Sequence, residues 1–290
     1  MTLYDLCIAP FADYAFMRRA LVAIATVACG SAPLGVLLVL RRLSLMAEAM
    51  SHAIMPGIAL VFVFVGFSIP LMSLGGFCAG VVVAVLAGLV TRMTRLHEEA
   101  SFAALYLIAL AMGVLLVSLH GSTVDLLHLL FGSILAVDSE SLILMTTITI
   151  TTLLTLALAY RPLIIAISDP VFFQSQGGSI TRYHLLYLLL ATLNLVAGFQ
   201  ALGTLMTVGM MIIPAVTSRF WVQHLDHMFP LVIAIGVVSG VVGLLLSYHL
   251  AVASGPAIIL VAGLIYLVSV IIGCYGSLRS RYWPQRHLAH

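Results

Sequence analysis

Residues 43–66 read L-S-L-M-A-E-A-M-S-H-A-I-M-P-G-I-A-L-V-F-V-F-V-G, a stretch that carries Glu48 and His52 four residues apart inside an otherwise apolar run. A helix crossing the ~30 Å hydrocarbon layer needs about 20 predominantly apolar residues, and this run supplies them. Four-residue spacing stacks the carboxylate and the imidazole on one helix face. An ionisable group at membrane depth is penalised by several kcal/mol and is kept where a pore, a partner or a ligand compensates it. Glu48 is the only acid well inside such a span in this chain.

The pattern recurs outward from there. Hydrophobic residues make up 63% of the 290 positions and charged residues 8%, with a mean hydropathy of +1.22, whereas an average soluble domain is roughly one-quarter charged. Such a chain is an integral membrane protein. Unpaired backbone cannot face lipid, so continuous apolar runs of this length predict helices rather than the alternating strands of a barrel. The expected fold is all-α, a polytopic transmembrane helical bundle of eight or nine helices forming one domain over 1–290. The candidate spans are 20–40, 44–67, 70–91, 101–119, 141–160, 183–199, 201–217, 229–249 and 256–275, and 183–217 reads alternatively as one long kinked element. The first run, after Arg18 and Arg19, is too long for a signal-peptide core and is expected to be retained.

Every basic residue is Arg. Arg41 and Arg42, Arg92 and Arg95, Arg161 and Arg182, Arg219, and Arg279, Arg281 and Arg286 fall at alternate connections of the nine-helix reading. Positive charge marks the cytoplasmic side, which puts the amino terminus outside and the carboxyl terminus inside, with Arg18 and Arg19 as exceptions. A net charge of +2 spread over helix ends forms no basic patch, so nucleic acid is not an expected partner. Cys7, Cys29, Cys78 and Cys274 form no C-x-x-C pair and read as small hydrophobes in helix packing. Gly236, Gly240 and Gly243 allow close helix approach.

Two connections stand out. The outward one, 120–140, carries His120, Asp125, His128 and Asp138 around an apolar piece too short to span, and predicts an interfacial helix in an external vestibule. His120, Asp125 and His128 are competent first-row metal ligands and candidates for a secondary relay. The inward one, 161–182, holds Pro170, Phe172, Phe173, Gly177 and Gly178, and predicts a short amphipathic helix that docks a soluble partner.

Carboxylate plus imidazole suits zinc, manganese or ferrous iron, whereas magnesium and calcium prefer oxygen alone. Two ligands are too few for zinc, which normally takes four, so the remainder must come from elsewhere in the bundle or from a symmetric copy. The bland reading is a Glu–His pair that satisfies itself between helices. Pro56 and Gly57 follow within a turn, and broken helices at membrane depth line substrate paths as well as forming ordinary kinks.

The run A-P-L-G-V-L-L-V-L-R-R-L-S-L-M-A-E-A-M-S-H-A-I-M-P-G-I-A-L, residues 32 to 60, resembles the signature region of ABC-type zinc/manganese/iron uptake permeases, whose usual form is G-x-x-G, a basic pair and G-D-x-x-x-H-A. V-D-L-L-H-L-L-F-G-S-I-L-A-V from Val124, L-G-T-L-M-T-V-G-M-M-I-I-P-A-V-T-S-R from Leu202 and S-G-P-A-I-I-L from Ser254 fit in the same order. The resemblance implies a permease in the plasma (inner) membrane of a bacterium, forming a homodimer, or a heterodimer with a similar permease, around a central path. It implies a cytoplasmic ABC ATPase subunit and an extracytoplasmic metal-binding protein as partners, a transported zinc or manganese ion, and no permanently bound cofactor. It places Glu48 and His52 at the family's metal-coordinating positions, so that two copies supply four ligands. It also places ATPase coupling on Asp169, Pro170, Phe172, Phe173 and Gly177. Two departures are visible: Glu48 stands where Asp is usual, and His249 is the only titratable group near S-G-P, where an Asp is frequent.

No G-x-x-x-x-G-K-S/T phosphate loop occurs, so ATP hydrolysis is expected in a separate subunit and the chain is expected to be no enzyme. A proton-coupled secondary carrier is the alternative class, and a permease for a metal chelate is the close variant. Chelate carriers need a wide path and no ionisable ligand pair, and no convincing internal repeat of the secondary-carrier kind is found. His97-Glu98 is followed by Ser101 where H-E-x-x-H needs histidine, so the reading as an intramembrane metalloenzyme fails on sequence.

Overall fold

The computed structural model describes residues 8–66, 68–119, 134 and 137–279. The expected vestibule residues His120, Asp125 and His128 lie outside the described residues. The described chain is helical in α1 (Ala9–Asp13), α2 (Ala15–Leu40), α3 (Ser44–Ala53), α4 (Met55–Val65), α5 (Ile69–Met93) and α6 (Glu98–Leu119). It continues as α7 (Ser139–Ser168), α8 (Pro170–Ser175), α9 (Ile180–Leu202), α10 (Thr204–Ser218), α11 (Leu225–Leu250) and α12 (Ser254–Ile272).

Long helices form here because every backbone group must be satisfied within its own segment in lipid. Threonines that would otherwise disfavour helix close the same account: along α7 the hydroxyls of Thr146, Thr147, Thr151 and Thr155 donate to the carbonyl one turn back, at 2.7–2.8 Å. The central element is α2, 72% buried over its apolar window, against 22–33% for α6, α7, α11 and α12. One large core joins α2 to α3, α4, α5, α6 and α9, and a second packs α2 against α7, α10, α11 and α12.

Small residues set the closest approaches. A methyl on Gly57 of α4 would overlap the Gly75 carbonyl of α5, and one on Gly243 of α11 would lie 2.5 Å from the Ile258 Cα of α12. Within the membrane zone a polar ladder ties α2, α7 and α9: Asn194 Nδ2 donates to Thr152 Oγ1 at 2.7 Å, and Thr149 Oγ1 to the Thr26 carbonyl at 3.1 Å. All four side chains are buried.

The alternating course of the helices follows from these contacts. Gly236 and Gly240 of α11 meet Ala28 and Ile24, so α11 runs antiparallel to α2. Arg41 reaches His184 and the Ala166 carbonyl, His184 reaches Glu98, and the Tyr275 amide donates to the Phe220 carbonyl, so the arginine-bearing ends gather at one end of the bundle. This is the cytoplasmic end by the positive-inside rule.

Among the described residues eight helical segments are long and apolar enough to span. The stretch 183–217 is two helices, because the chain reverses at Gly203, whose φ of 84° favours glycine. Gly198 then faces Thr207 across the turn. With 15 residues α10 is the short ninth, about 22 Å long at 1.5 Å per residue. The span 44–67 is also divided: α3 stops at Ala53, and Pro56 sits in the first turn of α4. The break falls ahead of the proline because its nitrogen has no hydrogen to give the carbonyl of His52. The span 141–160 extends to Ser168, running through Arg161 and Pro162, which shortens the cytoplasmic break expected over 161–182 to the residues after α7.

Candidate functional site

The site begins at a turn. Helix α2 closes with the Arg42 amide bonded to the Val39 carbonyl at 3.1 Å and the Leu43 amide to the Leu38 carbonyl at 2.9 Å, with Arg42 at φ 61°. This is the Schellman arrangement, with arginine where glycine is usual. It reverses the chain within three residues and launches α3, which carries Glu48 and His52.

Glu48 is exposed on the surface of the single chain, as is Leu45 one turn earlier at 67%. His52 is half-buried, and its ring stacks on Tyr106 of α6 at 6.0 Å between centroids and 27° between planes. Its Nδ1 is buried and has no hydrogen-bond partner. Leaving a buried polar atom unpaired costs about 1–3 kcal/mol. The pair does not satisfy itself, since no ion pair or hydrogen bond joins Glu48 to His52. Among the described residues no group of three or more His, Cys, Asp or Glu converges to hold a metal. Within one chain, α3 therefore brings together one carboxylate and one imidazole, four residues apart on the helix.

The cytoplasmic segment is built around α8. Asp169 ends α7 and caps α8, accepting the Phe172 amide at 2.9 Å, with Pro170 opening the first turn. Gly177, at φ 79°, closes α8 through bonds from the Gly177 amide to Gln174 and the Gly178 amide to Phe173, both 2.9 Å. Asp169, Pro170 and Gly177 thus shape the segment. Val171 and Phe172 point outward, 77% and 51% exposed. Phe173 turns inward, edge-on to Tyr183 at 5.4 Å and over Gly178.

Acidic residues elsewhere serve the helices. Asp138 caps α7 by accepting the Ser141 amide at 3.1 Å. Asp226, in the first turn of α11, accepts the Tyr160 hydroxyl, and His227 lies in the same turn.

Sequence reading missed a polar cluster at the cytoplasmic end. His184 Nε2 lies 2.6 Å from Glu98 Oε1. His184 Nδ1 lies 3.2 Å from Arg41 Nη1 and 2.8 Å from the Tyr187 hydroxyl. Arg41 Nη2 donates to the Ala166 carbonyl at 3.3 Å, and its Cζ stands 5.6 Å from the Tyr187 ring centre. A guanidinium only donates, so Nδ1 accepts and the ring hydrogen sits on Nε2, directed at Glu98. Arg41 and His184 are 143 positions apart, and the one local signal was a histidine and a tyrosine three residues apart at the head of a span.

Residues 13–273 match the model of the ABC 3 transport family. The chain belongs to that family. As a member of the ABC 3 transport family it is a transport permease, multi-pass in a bacterial plasma membrane. It is 33% identical over 272 residues to the manganese transport system membrane protein MntC of Halalkalibacterium halodurans, covering 93% of this chain and 92% of that one. It is 32% identical to the chelated iron transport system membrane protein YfeD of Yersinia pestis, covering 93% and 89%. Among solved structures, PsaBC from Streptococcus pneumoniae in complex with Fab superposes with a TM-score of 0.85 at 28% identity, covering 97% of this chain and all of that one.

Proposed function

We propose that this permease imports a bare divalent first-row metal, manganese ahead of zinc and iron, through a path in which Glu48 and His52 bind the ion. The family and the metal-transport relatives support the membrane subunit of an ABC metal importer. The observation that carries the ion path is the buried, unpartnered Nδ1 of His52 on the helix face that also bears Glu48. A transition-metal ion accepts the imidazole lone pair and the carboxylate together. Two copies, related by a two-fold axis, supply four ligands where one supplies two. The relatives' names favour manganese and iron, and zinc rests on ligand chemistry alone.

ATP is hydrolysed by a separate cytoplasmic subunit that seats Val171 and Phe172, while Asp169, Pro170 and Gly177 hold the shape of α8 and Phe173 ties it to α9. An extracytoplasmic metal-binding protein delivers the ion, and His120, Asp125 and His128 are the relay it meets.

The test is radiolabelled manganese and zinc uptake by metal-starved cells expressing the chain with its companion ATPase. Glu48→Gln and His52→Ala each abolish uptake at matched expression, and manganese is carried faster. Survival of uptake in both variants would make the pair structural. Uptake without the ATPase would favour a secondary carrier.

A further inference from the structure

We infer that Arg41 is a positioning residue of the transport cycle, the link through which movement of α8 reaches the helix that carries Glu48 and His52. This rests on the proposed function above, since it presupposes an ATPase acting at α8. Arg41 is the C-cap of α2 and stands three residues before α3 begins. Its guanidinium holds two elements at once, the Ala166 carbonyl in the last turn of α7 and His184 near the head of α9. Those helix ends flank α8 in the chain.

Both routes from α8 to Arg41 are short. On one side Asp169 joins α7 to α8 directly, and Ala166 lies in the turn before it. On the other, Phe173 of α8 packs against Tyr183, the neighbour of His184. The far end of the link is stiff as well. Arg41 and Arg42 belong to a doubly bonded turn, and α3 is a single ten-residue helix ending one residue past His52. Glu98 fixes the His184 ring from its other nitrogen, and Tyr187, 1% exposed, backs the guanidinium.

The carbonyl of Ala166 is one of the last-turn acceptors that a helix leaves without an internal donor, so a cation there is well placed. A planar fork reaches that carbonyl and the imidazole simultaneously, which the single point charge of lysine does not reproduce. Displacing α8 therefore drags or releases the turn that launches α3, and with it the metal-ligand face.

The experiment measures manganese uptake and ATP hydrolysis together in proteoliposomes holding the full permease with its companion ATPase. Arg41→Ala and Arg41→Lys lower the metal carried per ATP hydrolysed by about tenfold, within the usual range of coupling between sites, while ATP hydrolysis persists. His184→Leu does the same. His184→Gln keeps the wild-type ratio, because an amide accepts from Arg41 through oxygen and donates to Glu98 through nitrogen. A merely structural role would lower the yield and thermal midpoint of the complex and leave the ratio unchanged in what remains. A wild-type ratio in Arg41→Ala, or equal losses in His184→Leu and His184→Gln, would overturn the link. ATP-independent uptake, or none, by the wild type would overturn the proposed function and the link with it.

Discussion

His52 is where local stability and the proposed function diverge most plainly. Its ring gains a stacking contact with Tyr106 and carries a buried nitrogen that nothing satisfies. A phenylalanine keeps the ring and removes that nitrogen. His52→Phe is expected to leave folding unimpaired or to strengthen it by about 1 kcal/mol, the low end of the cost of an unpaired buried polar atom. It is expected to abolish uptake at the same time. Thermal unfolding of the purified protein in metal-free buffer checks this, and manganese should raise the midpoint of the wild type but not of the variant. A large drop in the variant's midpoint would mean that the imidazole supports the fold instead. The placement of Glu48 and His52 on one helix was legible in the sequence because their four-residue spacing is local, and the high cost of such groups in lipid is what made them candidates. Arg41 with His184 was not, because its meaning depends on contacts between helix ends far apart in the chain.

At the scale of elements, helix packing turns on a few glycines, and they are not equivalent. A methyl on Gly57 meets the backbone of Gly75, which cannot move aside without separating α4 from α5, whereas a methyl on Gly88 of α5 has nothing within 4 Å. Gly57→Ala is expected to cost about 1–3 kcal/mol, the range for overpacking. Gly88→Ala should be neutral or stabilising, since alanine is the better helix former. Thermal midpoints of the two purified variants give the comparison, and equal midpoints would show that the α4–α5 crossing is more pliable than its geometry implies. Sequence alone could not separate these glycines, since both sit in apolar runs. It likewise placed the end of α7 at Tyr160, because Arg161 and Pro162 read as a boundary. In the structure both lie within α7, where an arginine near a helix end extends its head to the interface and a proline is accommodated by neighbouring packing.

On the whole molecule, the face of α3 that bears Glu48 leaves a carboxylate and Leu45 uncovered on a membrane-spanning segment. A carboxylate facing lipid costs several kcal/mol, and in the proposed dimer a second copy of the same face would remove it from lipid while completing the proposed ligand set. A two-fold interface brings a residue near its own counterpart when it lies close to the axis. With the native cysteines replaced, Leu45→Cys is therefore expected to cross-link two copies in oxidised membranes, and manganese should change the yield. Leu158→Cys on α7 is the control, 79% exposed but remote from the Glu48 face in the chain. If Leu45→Cys cross-links no more than Leu158→Cys, the two α3 faces do not meet, and the missing ligands must come from elsewhere in the assembly.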